Sequence, residues 1–274
     1  MNKSTTFKEA RTLFFSKAYD EIFNQLRLAV SLGKDKSNND EEYKKVIASV
    51  KDKVDYMLDN DKLDEHEAEE KVFDRTMLPN FGENVAENDA IRLIVISEKE
   101  RNDYLTLFSE YSCLNSCEQT DNALWNSTFN DNSFVCSIYD KNTNKYVGYC
   151  LIRDLKSSVW EIAIEEKKEF CNKGYGTYAL DLFMNVVTKF TGNRYYRARV
   201  DVDNYPSQAL MKKLGAVPNG ISEYMLHGED LKKFQKEYSY LINDNIRNVA
   251  KEFGVQAEKL IGHVLEYKFD RGNK

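Results

Sequence analysis

The stretch Cys171-Asn172-Lys173-Gly174-Tyr175-Gly176 constrains this chain most, because a strand pattern stands before it and a helix pattern after it. Val159 to Ile164 reads as a strand, and Ala179, Leu182, Phe183, Val186 and Phe190 recur at helical spacing. A glycine loop at such a junction points several backbone N–H groups at one spot, at the positive end of the helix dipole. That arrangement suits a phosphate or pyrophosphate. The spacing also excludes two nucleotide folds. Lys173 precedes Gly174 and no Lys-Ser or Lys-Thr pair follows Gly176, so a Walker-type loop is out. A dinucleotide fold needs a third glycine and an acidic residue ending the next strand of a parallel sheet, whereas Gly174-x-Gly176 follows strands that read as antiparallel. Alone, the two glycines fit a tight strand-to-helix turn as well as they fit an anion site.

The surrounding residues resemble the GNAT superfamily of N-acetyltransferases. Its acetyl-CoA signature, [QR]-x-x-G-x-[GA] at a strand-to-helix junction, is matched by Cys171-x-x-Gly174-x-Gly176 apart from the leading residue. A following strand at Arg199 to Asp203, then Asn204-x-x-Ser207 and Gly215, fits the superfamily's second motif. The run from Trp160 to Leu180 looks most like the branch that acetylates alanine N-termini of ribosomal proteins. The resemblance is close over Val159 to Pro218 and extends more weakly from Asn88 to Phe269. It implies an α+β, three-layer fold: a mixed, mostly antiparallel central sheet with flanking helices. It also implies acetyl-CoA as cosubstrate, with no metal.

By the same resemblance Ile164, Glu165 and Glu166 should hold the pantetheine arm and thioester, while Cys171, Asn172, Lys173, Gly174, Tyr175, Gly176 and Thr177 wrap the pyrophosphate. Asn204 and Ser207 should touch the pantetheine or thiol end. Many members place a tyrosine seven residues after the asparagine as general acid, but here that position is Met211, whose thioether has no proton to give. Ser207 is the best substitute, with Tyr205 and Tyr224 in reserve. For the base, Glu161 is favoured over Glu223. The attacking amine must be neutral, yet its pKa is about 8 at an N-terminus and about 10.4 on lysine, so a base is needed, direct or through water. Backbone donors aimed at the carbonyl oxygen of the thioester typically contribute about 3 kcal/mol each.

Composition sets the outer limits. The formal charge is −6, which opposes general nucleic-acid binding and is compatible with a cationic amine acceptor. The aliphatic run Leu93 to Ile96 is far short of the roughly 20 residues that cross a bilayer, and Met1 to Glu9 carries no apolar signal core, so a cytoplasmic enzyme is expected. Five cysteines without a C-x-x-C pair and three scattered histidines argue against zinc or a disulfide framework. Cys136 and Cys150 fall within strand patterns as small core residues; Cys171 lies where a helix N-terminus favours a thiolate, but it reads better as a small residue fitting a crowded loop.

Residues 1–87 read differently from the rest. Phe7, Ala10, Phe14, Ala18, Ile22, Leu26 and Val30 form one helical stripe, Tyr43 to Leu58 a second, and Leu63 to Met77 a third, together a helical appendage. Residues 88–274 then read as the acetyltransferase domain with a two-helix insert at 228–262; the resemblance implies that this end of the sheet borders the acceptor pocket, where the insert either shapes acceptor choice or only covers the sheet. Whether the appendage packs on its own domain or makes a homodimer stays open. So does the acceptor, a small-molecule amine or a peptide N-terminus. The contrasting reading is a catalytically weak acyl-CoA sensor that uses the N-terminal helices as its partner surface.

Overall fold

Short apolar runs fold the middle of the chain into a sheet, which the computed structural model shows within a description covering residues 5–34, 41, 44–52, 73–111 and 118–272. Strands β1 (Asn84–Glu87), β2 (Ile91–Val95), β3 (Phe134–Asp140), β4 (Tyr146–Ile152) and β5 (Trp160–Glu166) pair antiparallel in chain order. Strand β6 (Tyr195–Asp201) joins β5 in parallel. With β7 (Val217–Glu223) and β8 (His263–Asp270) the order becomes β1-β2-β3-β4-β5-β6-β8-β7. This is the mixed, mostly antiparallel sheet that the sequence implied.

Packing groups the chain into two units, Ala68–Val200 with Asn204–Asn219 and Glu266–Lys274, and Met1–Glu67 with Asp201–Asp203 and Gly220–Leu265. The first unit is three-layered. Helices α2 (Arg101–Tyr111) and α3 (Glu118–Thr128) cover one face, where Tyr104, Leu107 and Trp125 pack with Val135, Tyr149 and Leu151. Helix α4 (Tyr175–Thr191) covers the other, and Phe183 stacks on Phe134 at 5.5 Å. With both faces covered, β3 and β4 are buried almost end to end, so their apolar residues run on without alternation. Cys136 and Cys150 stand opposite each other in register, both fully buried, and burial pushes both thiols up. Helix α5 (Tyr205–Lys213) follows β6.

The second unit joins the start of the chain to the insert. Helix α1 (Phe7–Lys34) begins in a capping box: the Thr6 amide donates to Glu9 Oε2 at 2.8 Å and the Glu9 amide to Thr6 Oγ1 at 3.1 Å. Phe7 and Ala10 are buried, and Phe14 meets Phe234 of α6 (Gly228–Glu237) edge to face at 5.6 Å. Arg11 pairs with Asp201, and the Phe7 amide donates to Asp203 at 2.8 Å. Helix α7 (Asp244–Phe253) completes the insert. The boundary read at 87/88 follows a change in residue pattern, whereas these contacts join the first helix to 220–265. The later stripe of α1, from Ala18 on, lies outside the described side chains, as does most of the expected third helix. Within the second stripe residues 44–52 are helical, and Arg75–Met77 is a short 3-10 turn.

Three strands differ from expectation. β6 starts at Tyr195, four residues earlier than its pattern suggested, because Tyr196, Ala198 and Val200 point inward while Arg197 alternates to the other face. β7 was expected over Ile221 to His227, but it runs from Val217 through Pro218 and Gly220 as an exposed edge, the place where a sheet tolerates proline. β1, four residues long and polar at both ends, carried no period-two signal.

β4 and β5 approach closely at Gly148, where an added Cβ would stand 2.0 Å from the Glu165 carbonyl oxygen. Gly148→Ala should destabilise the protein by about 2–3 kcal/mol through forced separation of β4 and β5, read as a lowered midpoint in urea unfolding.

Candidate active site: a split strand and a helix N-terminus

The site begins where two strands part. The parallel pairing of β5 and β6 runs Trp160↔Tyr196 and Glu161↔Arg197, while β5 stays paired with β4 as far as Glu166↔Gly148. The Lys167 amide donates to the Val147 carbonyl at 2.8 Å. In an antiparallel ladder alternate residues bond to one neighbour, so Ala163 and Glu165 face β4, and Ile164 and Glu166 turn their main-chain groups to the side that β6 has left, where the Glu166 carbonyl also accepts from the Tyr111 hydroxyl. A strand with donors and acceptors turned outward in this way can take an extended, amide-bearing ligand.

The parting is anchored by charge. Glu161 Oε2 accepts from Arg197 Nη2 at 2.9 Å and from Arg199 Nε at 2.8 Å, and Arg197 also lies 3.8 Å from Glu266 of β8. Glu161 was expected to serve as base, and neither arginine was anticipated as its partner. The pairing depends on the β5–β6 register, which brings Glu161 opposite Arg197.

After β5, a 3-10 turn at Lys168–Phe170 leads into the glycine loop. The Phe170 ring is buried and meets the Tyr175 ring edge to face at 5.6 Å, fixing one side of the loop. Cys171 Sγ lies 3.6 Å from the Lys167 carbonyl and 3.9 Å from that of Glu166, so its thiol donates back to the strand end. Asn172 at φ 61° and Gly174 at φ 87° both adopt the left-handed conformation, which turns successive amides to one side ahead of α4. Gly174 is the N-cap of α4, and Tyr175, its first residue, bonds to Asp140 at the end of β3. That bond, with amides from Asn142 and Thr143, holds the Asp140 carboxyl down at about 2.

Gly176 sits in a tight place. A Cβ there would lie 3.1 Å from Glu166 Oε2 and 3.4 Å from Leu210 Cδ2 of α5. The Gly176 amide bonds to the Glu166 carboxylate, yet burial dominates and raises this carboxyl to about 7. Its Oε1 is buried and finds no hydrogen-bond partner among the described residues. Sequence reasoning named Glu166 for its main chain and missed its side chain, whose direction only the strand's facing reveals.

Asn204 caps α5, its Oδ1 accepting the Ser207 amide at 3.2 Å, and Ser207 lies one turn before Leu210. Met211 is buried and serves as core. The first unit thus brings together Ile164 to Glu166, Cys171 to Thr177 and, through Leu210, the helix carrying Ser207. Tyr224 belongs to the second unit, its ring under the Arg11 guanidinium at 5.5 Å. Glu223, also there, bonds to His227 Nδ1 at 2.8 Å. Burial lowers His263 beside them. Among the described residues, no cluster of three His, Cys, Asp or Glu could hold a metal ion, and no helix is long and apolar enough to cross a membrane.

Residues 83–217 match the acetyltransferase (GNAT) domain family. Over this segment, just under half of the chain, the protein carries a GNAT acetyltransferase domain, and it is an acyltransferase. No curated protein matches the sequence. Among solved structures, the chain is similar to a ribosomal L7/L12 α-N-protein acetyltransferase in complex with coenzyme A, at 12% identity over 70% of this chain and 100% of that one, TM-score 0.49. It is also similar to the ribosomal-protein-S5-alanine acetyltransferase of Vibrio fischeri, at 13% identity over 69% and 97%, TM-score 0.48. A third is the spermidine/spermine N-acetyltransferase of Vibrio cholerae, at 12% identity over 67% and 95%, TM-score 0.47.

Both arginines beside Glu161 are largely buried, at 14% and 18% side-chain exposure, so its loss removes a carboxylate that the two share in a partly desolvated place. Glu161→Gln should cost about 2 kcal/mol, and a double-mutant cycle with Arg199→Met should return a coupling of about 1 kcal/mol or more by chemical denaturation.

Proposed function

We propose that this protein transfers an acetyl group from the thioester of acetyl-CoA to an amine by direct attack in a ternary complex. The observation that supports this reading best is the continuity of two features. The outward-turned main chain of Ile164 to Glu166 leads, within one short turn, to the amides of Cys171 to Thr177 at the start of α4. The first suits the amide-bearing pantetheine arm and the second the diphosphate, and chemistry and spacing agree for one molecule only if it carries both. Coenzyme A does.

The roles follow from reach. Main-chain donors near Ile164 would receive the charge that develops on the thioester oxygen, the kind of preorganised donor typically worth about 3 kcal/mol. Ser207, on α5 beside the loop, would carry the proton to the departing sulfur, a position Met211 cannot fill. A thiolate leaves well without full protonation, so the missing phenol costs at most the roughly 10²–10⁴-fold of general acid catalysis.

We assign Glu161 the task of holding β5 to β6, and the proton of the amine to a water. This choice favours acceptors that are already partly neutral. An N-terminal amine with a pKa of about 8 is roughly one-tenth neutral at pH 7, whereas a lysine at about 10.4 is neutral in fewer than one molecule per thousand. Peptide N-termini and weakly basic small amines are therefore the preferred substrates, in keeping with the net charge of −6 for attracting cations.

Thiol release from acetyl-CoA tests the reading on a panel of peptides with free N-termini, lysine-bearing N-blocked peptides, polyamines and aminoglycosides. Acceptor-dependent thiol, fastest with free N-termini, is expected. Coenzyme A binding with no acceptor-dependent thiol would instead favour a sensor. With Glu161→Gln the rising limb of the rate–pH profile should keep its shape, and a flattened limb would return the base to Glu161. Gly174→Ala imposes a left-handed conformation on an L-residue at φ 87°. At a cost of about 1–2 kcal/mol for that conformation, KM for acetyl-CoA should rise roughly tenfold with kcat nearly unchanged.

A further inference from the structure

The anion cradle at the start of α4 already holds an acid, and it is one of the protein's own. Glu166 is the last residue of β5, and its side chain reaches the second residue of α4, whose amide donates to it. The approach is close: a Cβ at 176 would stand 3.1 Å from Glu166 Oε2 and press on the carboxylate. Of the two carboxylate oxygens, one takes that amide and the other is buried without a partner among the described residues. No lysine or arginine among the described residues forms an ion pair with it, although Lys167, Lys168 and Lys173 lie in the same loop. Lys167 bonds to Asp103 at 3.0 Å, while the other two lie over the rings of Tyr111 and Phe170.

The elements packed around Glu166 contribute few other charges. From α2, the Tyr111 hydroxyl donates to the Glu166 carbonyl at 2.8 Å. From the loop, the Cys171 thiol approaches the same carbonyl. On β5, Glu165 turns to the opposite face, accepting from Tyr149 of β4 at 2.7 Å. α4 brings Tyr175, bonded to Asp140, and α5 brings the apolar Leu210. Glu166 therefore occupies the Gly176 amide that a diphosphate would need, with no side-chain cation among the described residues paired with it.

We propose that Glu166 is a resident competitor for the diphosphate of coenzyme A, and that the cofactor loads onto the protein with Glu166 neutral. The inference rests on the coenzyme A reading above and deepens it by naming the residue that sets cofactor affinity. A neutral carboxyl can keep company with a phosphate as a hydrogen-bond donor, whereas a carboxylate in the same place repels it. Loading above neutral pH then takes up one proton from solvent, and affinity falls as pH rises. This carboxyl is raised to about 7, so between pH 6 and pH 8 the requirement for its neutral form weakens binding about tenfold.

The test is calorimetric titration of the full chain with coenzyme A at pH 6, 7 and 8, repeated at pH 8 in buffers of different ionisation enthalpy. Wild-type protein is expected to take up close to one proton per coenzyme A at pH 8. Glu166→Gln should take up none and bind more tightly than wild type at pH 8, and its affinity should fall about tenfold less than that of wild type between pH 6 and 8. Comparing the two proteins cancels the ionisation of the ligand's own phosphate and thiol. If the glutamine variant does not fold, Glu166→Leu replaces it, and the buffer series on wild type needs no variant. Wild-type binding without proton uptake, or parallel pH slopes for wild type and variant, would overturn the proposal and leave the coenzyme A reading intact. No heat from either protein at any pH would overturn both.

Discussion

The parting of β5 from β6 is the constraint on which the rest of the site depends. A parallel pair that continued past Glu161 and Arg197 would spend the main-chain groups of Ile164 to Glu166 on sheet bonds and leave none for a ligand. The ion pairs of Glu161 with Arg197 and Arg199 hold the strands together up to that point. On its other side β5 remains bonded to β4, where the approach of the Glu165 carbonyl to Gly148 shows how tightly the two are drawn together. One strand is thus firmly held along one edge and open along part of the other.

The helix that follows makes use of the open end. Two left-handed residues, Asn172 and Gly174, turn the loop so that α4 starts with its amides beside the strand terminus. Phe170 and Asp140 grip the first residue of that helix from the loop and from the β3–β4 hairpin. Precision at this junction is therefore supplied by packing and by a charged hydrogen bond, both outside the glycine motif. The same closeness that aligns the amides brings Glu166 to them, so preorganisation and self-competition arise from one geometry.

In the second unit, the first helix and the helical insert are built on each other through Phe14 and Phe234, with Arg11 and Phe7 tied to Asp201 and Asp203. Two stretches separated by some two hundred positions in sequence thus share one core, which pattern reading along the chain could not join. Periodicity reports which face of a helix is buried, and it is silent about the partner.

The sequence by itself determined the elements whose signal is local. The glycine loop, the hairpin of β3 and β4, the helical face of α4 and the alternation of Leu265, Tyr267 and Phe269 in β8 are all fixed by neighbours along the chain, and they carry the fold and the family. Strand order, the early start of β6, the edge position of β7, the arginine partners of Glu161 and the carboxylate of Glu166 at Gly176 belong to the tertiary structure alone. Each rests on a register or a facing between strands and helices distant in sequence, where a shift of one residue would reverse every side chain.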